Sequence, residues 1–131
     1  MRRKDRRYTC AGGPSPATSG AWAETIALQH LQRQGLELVT RNFRCRLSEL
    51  DLVMEHNHML VFVEVRLRVN TRFGNGAESV TLIKQRKLVR AAGIFLSRHP
   101  FYQNRRAKFD VVSVSKRNYR ARCDWIQNAF T

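Results

Sequence analysis

At 131 residues, 43% of them hydrophobic, and with a net charge of +14, the chain is long enough for one domain with a real core and too short for two. No run approaches the ~18 consecutive apolar residues of a membrane-spanning helix, and the basic start Met1-Arg2-Arg3-Lys4 is not followed by the apolar stretch of a secretory signal. Cys10, Cys45 and Cys123 are widely spaced with no Cys-x-x-Cys pair, which argues for free thiols in a reducing cytoplasm rather than a zinc or disulfide framework.

Residues 1–10 hold five basic residues against Asp5, so most of the excess charge belongs to the rest of the chain. A folded body that basic repels itself until it meets a polyanion, which makes nucleic acid the expected partner. Charge alone does not separate a nuclease from a passive binder or from a basic structural or ribosome-associated protein.

Residues 1–18 are basic and then rich in Gly, Pro and Ser (Gly12-Gly13-Pro14-Ser15-Pro16). They read as a disordered arm, leaving 19–131 as the folded domain. Thr18 or Ser19 can cap a helix over about 20–34, with Gly35 just past its end. Strands are expected at 36–44, 47–55 and 59–69, the last two joined by a polar turn around His56-Asn57-His58. A loop with Gly74-Asn75-Gly76 comes next at 70–78. Thr81 is placed to cap a second helix reaching about residue 98, stopped by Pro100. The last strands are expected at 109–115 and 125–130. The order α-β-β-β-α-β-β describes one α/β domain, a mixed central sheet with helices packed against it.

The third strand reads Val61-Phe62-Val63-Glu64-Val65-Arg66. Its odd positions are aliphatic and must face a helix layer, which puts Glu64 and Arg66 on the other face about 7 Å apart. Glu49 and Asp51 share a face of the second strand. A two-residue turn at Asn57-His58, or a four-residue loop from His56 to Met59, sets Asp51 opposite Glu64 with Cβ atoms about 5 Å apart. A turn at His56-Asn57 would oppose Glu49 and Glu64 instead, and a three-residue loop would flip one strand's parity. Opposed carboxylates on central strands repel, so the pair asks for a divalent cation or an arginine. Glu24 lines up with Ala27, Leu28 and Leu31 on the apolar stripe of the first helix, a third acid directed inward.

Glu24, Asp51 and Glu64-Val65-Arg66 together resemble the PD-(D/E)XK nuclease pattern. Residues 20–130 are more closely similar to the YraN-like family of bacterial endonucleases. The matching pieces are Gly20-Ala21-Trp22-Ala23-Glu24, Glu49-Leu50-Asp51-Leu52-Val53, Val61-Phe62-Val63-Glu64-Val65-Arg66, Ser79-Val80, Lys84-Gln85-Arg86-Lys87-Leu88, Phe109-Asp110-Val111-Val112 and Asn128-Ala129-Phe130. The resemblance implies a restriction-endonuclease-like three-layer fold, similar to Holliday-junction resolvases, which act on branched DNA and usually work as homodimers. It implies that Asp51 and Glu64 ligate Mg²⁺, with Mn²⁺ as an alternative and the Val65 carbonyl as a third ligand. Such an ion polarises the scissile phosphate and lowers the pKa of the attacking water. Glu24 would steady a water or a second ion, and Gln85 would support the site from the start of the second helix. Arg66 stands where the superfamily usually has lysine. With a pKa above ~12, arginine can stabilise charge on a phosphate but cannot serve as a base. Glu49 is then a substitute base, and a nucleic-acid-binding protein of nuclease fold with little or no catalysis stays open.

Arg41, Arg44, Arg46, Arg68 and Arg72 cluster at strand ends and the following loop, while Lys84, Arg86, Lys87 and Arg90 lie along the second helix. Of these, Arg44, Arg46, Arg68, Arg72, Lys84 and Lys87 are the candidate phosphate contacts. His56-Asn57-His58 spells the HNH motif but sits in a single turn, whereas that motif spreads its histidines over a ββα unit. Gly74-Asn75-Gly76 is too short to cradle a phosphate. Cys45, Cys123, Trp22 and Trp125 read as core residues.

Overall fold

The computed structural model describes residues 19–68, 80–117 and 120–130. The expected arm at 1–18, Arg72 and the Gly74-Asn75-Gly76 segment lie outside the described residues. Helix α1 (Ser19–Arg33) leads into β1 (Glu37–Cys45), β2 (Ser48–His56) and β3 (Met59–Arg68). Helix α2 (Leu82–Arg98) and a 3-10 turn (Pro100–Tyr102) precede β4 (Ala107–Arg117) and β5 (Arg120–Phe130). The strands form one sheet in sequence order, antiparallel except between β3 and β4. A parallel pair needs a long crossover, which α2 supplies.

Each helix covers one face of the sheet. Ala23, Ala27, Leu28 and Leu31 recur at helical spacing and press α1 onto Leu52, Met54, Val61, Val63, Val112 and Val114. On the other face Leu88, Ala91, Ala92 and Phe95 of α2 meet Leu50, Val53, Leu60 and Phe62. Both faces of β3 are therefore buried. Its odd residues Val61 and Val63 face α1 as expected, but Leu60 and Phe62 lie under α2 and carry Glu64 with them into the interior.

Local chemistry sets the ends of these elements. Gly35 takes a φ of 97°, and the Leu36 N–H reaches back to the Leu31 carbonyl at 3.1 Å, a Schellman closure of α1. Thr81 Oγ1 accepts the Lys84 N–H at 3.1 Å and caps α2. Asn57 and His58, with φ of 53° and 65°, form the two-residue turn between β2 and β3. The ladder then runs from His56 opposite Met59 to Leu52 opposite Val63.

The last two strands are longer than their hydrophobic pattern suggests, because Arg120, Ala121 and Arg122 are exposed and show no alternation. β5 is also irregular opposite Phe109 and Val111. There the fully buried Asp110 accepts the Trp125 Nε1–H at 2.8 Å and the Asn128 N–H at 3.0 Å, with Lys108 Nζ 3.5 Å away. Asn128 has a φ of 52°, so Asp110 stabilises a kink that the ladder alone leaves unsatisfied. No helix among the described residues is long and apolar enough to cross a membrane.

Candidate metal centre

The β1–β2 pair turns over beside β3, and the acids gather there. In β2, Leu50 packs in the α2 core and Leu52 in the α1 core, although regular alternation would keep them on one face. In β1, Phe43 packs under α2, whereas Arg41 donates to Thr25 Oγ1 (2.8 Å) and the Ala21 carbonyl (3.2 Å) of α1. Between these pairs lie Asn42, with a φ of 57°, and Asp51. The β2–β3 ladder stops one pair short of Asp51 and Glu64. Asp51 Oδ2 instead accepts the Val65 N–H at 2.9 Å, which brings the Val65 backbone against the acid.

Asp51 and Glu64 share a hydrogen bond, and both titrate above the ordinary carboxylate range. Burial, then the Asp51 charge, raises the Glu64 carboxyl to about 7; Lys84 and Arg66 pull the other way. Burial raises Asp51 too, against hydrogen bonds from the Val65 N–H and Glu64. Lys84 Nζ, from the first turn of α2, lies 3.6 Å from Glu64 Oε2.

Glu24 reaches the same place from α1. Its carboxyl is raised to about 6, first by burial and next by the Asp51 charge, with Arg41 opposing. Arg41 Nε lies 3.7 Å from Glu24 Oε1, and Asn42 also hydrogen-bonds to Glu24. Glu49 adds negative charge near both Glu24 and Asp51, and its own carboxylate faces Arg44 Nε at 3.3 Å on the exposed side. Arg66 lines the open cleft beside Glu64. Gln85 Nε2 donates to the Val80 carbonyl at 3.0 Å, so that amide braces the entry to α2.

Among the described residues no group of three His, Cys, Asp or Glu side chains could hold a metal ion by itself. The donor set is two neighbouring carboxyls, Asp51 and Glu64, both raised by burial, with the Val65 backbone adjoining. Two carboxylates suit Mg²⁺, which retains several of its waters and does not need an all-protein cage.

Of the expected phosphate contacts, Arg46 and Lys87 are exposed. Arg44 faces Glu49, Arg68 Nη1 lies 3.9 Å from Asp124 Oδ2, and Lys84 stands at the acids, where it lines the open cleft. The role of Lys84 at the acidic pair escaped the sequence pattern, although the Thr81 cap, which fixes where its turn begins, was legible. Trp22 and Trp125 are half-buried against the α1 core, and Cys45 and Cys123 are free thiols.

A five-stranded mixed sheet between two helices, with an aspartate at its break and a glutamate on the adjacent central strand, defines a restriction-endonuclease-like protein of PD-(D/E)XK type. Residues 23–114 match the family described as uncharacterised protein family UPF0102. A UPF0102 protein of Pseudomonas putida strain GB-1 is 45% identical over 117 residues, covering 88% of this chain and 95% of that relative. One from Stutzerimonas stutzeri strain A1501 is 46% identical over 113 residues, 86% of this chain and 94% of the relative. One from Alkalilimnicola ehrlichii is 43% identical over 127 residues, 97% of each. The chain belongs to the UPF0102 family, the YraN-like group that its motifs resemble.

Proposed function

We propose that this chain is a divalent-metal-dependent endonuclease that hydrolyses phosphodiester bonds in structured or branched DNA, with Asp51 and Glu64 as the seat of the ion. The observation that carries the reading is the acidic pair itself: Asp51 at the break of β2, held by the Val65 N–H, beside the buried Glu64 of the central strand β3. A buried pair of that kind is costly to the fold and well matched to a small hard cation, Mg²⁺ or Mn²⁺. Bound there, the ion supplies positive charge to the scissile phosphate and lowers the pKa of the attacking water.

The chain's own residues do the rest. Asp51 and Glu64 would hold the ion in their ionised forms, and the Val65 N–H keeps Asp51 oriented. Glu24, anchored by Arg41 and close enough to Asp51 to feel its charge, would hold a water there. In the hydrolysis the water oxygen forms a bond to phosphorus as one ester P–O bond breaks. One proton leaves the water, and the departing oxygen takes one up. Arg66 remains protonated and acts on the phosphate. Arg44, Arg46, Arg68, Arg72 and Lys87 would track the backbone on either side, and a homodimer would address the two symmetric strands of a junction. Free thiols at Cys45 and Cys123 fit a reducing, cytoplasmic setting.

Arg66 in place of lysine favours a second reading, a nucleic-acid-binding protein of the same fold without cleavage. Incubating the full chain with labelled linear, flapped and four-way DNA, in Mg²⁺ or Mn²⁺, separates the two. Cleavage is expected, best on the branched forms and lost in Asp51→Ala. Tight binding without metal-dependent cleavage would sink the nuclease reading in favour of the second. Binding indifferent to DNA shape, with no metal uptake by calorimetry, would leave only a basic structural protein.

A further inference from the structure

An open cleft of about 450 Å³ adjoins the acidic pair, walled by Glu64, Val65, Arg66, Leu67, Thr81 and Lys84. That size lies within the ~300–1,000 Å³ of ordinary small-ligand sites. Among the described residues, the charged groups of the cleft besides Glu64 are cationic: Lys84 and Arg66. The start of α2, which has no acid in its first turn, adds the positive end of the helix dipole. Such a surround attracts an anion, yet the group now opposite Lys84 is Glu64, a metal ligand in the nuclease reading.

Lys84 is unusual among the basic residues. Its backbone is fixed by the Thr81 cap, its ammonium lies 3.6 Å from a buried carboxyl, and its side chain is still 43% exposed toward the cleft. A divalent cation on Glu64 would repel an ammonium at that distance. Four rotatable carbons let the head group swing away, and the nearest anion available to it is then a phosphodiester lying in the cleft.

We propose that Lys84 is a catalytic residue of this site, contacting the scissile phosphate from α2 and supplying the ammonium that β3 lacks at Arg66. The proposal rests on the nuclease reading and refines it. Lys84 acts through its charge, releasing Glu64 as the ion binds and stabilising charge that builds on the phosphate. It is thereby distinguished from Arg46 and Lys87, which serve affinity alone.

The test uses the full-length protein and two variants, K84Q and K84R. Single-turnover cleavage is measured at saturating DNA, and Mn²⁺ binding is titrated by calorimetry without DNA. Losing one preorganised contact to the reacting group lowers a rate by ~10²-fold, so K84Q should cut about that much more slowly while binding DNA almost as tightly. K84R should recover most of the loss, because charge and not proton transfer is required. Mn²⁺ should bind K84Q at least as tightly as wild type, since the competing ammonium is gone. A K84Q rate equal to wild type, or a defect confined to DNA affinity, overturns the proposal and leaves the nuclease reading intact. Weaker Mn²⁺ binding by K84Q overturns it as well, because Lys84 would then be organising the acids. A wild-type protein that takes up Mn²⁺ and cuts nothing overturns both.

Discussion

Glu64 is held protonated by its burial and by Asp51, and that has a defined pH signature. Its folded pKa of about 7 lies above the ordinary 4.5, so as pH rises the unfolded chain loses the proton first. The stability contributed is therefore whole below about pH 4.5 and lost as pH climbs through about 7. Glu24 acts in the same sense up to about pH 6. In chelator, urea denaturation should show wild type losing up to about 3 kcal/mol relative to Glu64→Gln between about pH 5 and pH 8. Mn²⁺ affinity should rise over the same interval, because the ligands must ionise to bind. Asp110 plays the opposite part, a buried acid whose bonds are filled. Asp110→Ala strands the Trp125 and Asn128 donors and should cost about 3 kcal/mol by the same measurement. Glu24 and Glu64 were legible from helical spacing and alternation; Asp51 was legible from the hairpin register, although the ladder stops one pair short of it. Asp110 was visible only as a piece of a family motif, because nothing local says that a strand aspartate will be spanned by a tryptophan fifteen residues on.

At the level of elements, the β2–β3 hairpin is the part the sequence specifies best, and its turn is still imperfect. His58 occupies a left-handed conformation, φ 65°, that glycine adopts without strain. His58→Gly should raise stability by about 0.5–1 kcal/mol in chemical denaturation without moving the register. Thr81→Ala should lower it by about 1 kcal/mol through loss of the cap on α2. Turn residues and caps were readable because each acts over three or four positions. β5 was only half readable. Its first residues are polar and exposed, and β4 is what makes them a strand. The 3-10 turn at Pro100–Tyr102 is visible in the sequence only as a stop after α2, because proline fixes a boundary and says little about the conformation beyond it.

For the whole molecule, a charge of +14 sets the scale of any interaction with a polyanion. Six released phosphate contacts would give a slope of about −5 in log affinity against log salt. Arg44, Arg68 and Lys84 already face Glu49, Asp124 and Glu64, so the measured slope should be shallower than that. Asp51→Ala should leave it unchanged. Layer order and strand order could be argued from the α-β-β-β-α-β-β pattern. The turnover of the sheet at Asn42 and Asp51 could not, since one left-handed asparagine in a strand leaves no periodic trace. Elsewhere five strands insulate the α1 core from the α2 core. At the turnover, Glu24 and Arg41 from one layer and Glu64 and Lys84 from the other converge on Asp51. The two halves of the interior are thus in electrical communication through a few carboxyl groups. A change of charge at Glu24 on α1 is therefore felt at Lys84 on α2 through Asp51 and Glu64, with both hydrophobic clusters left in place.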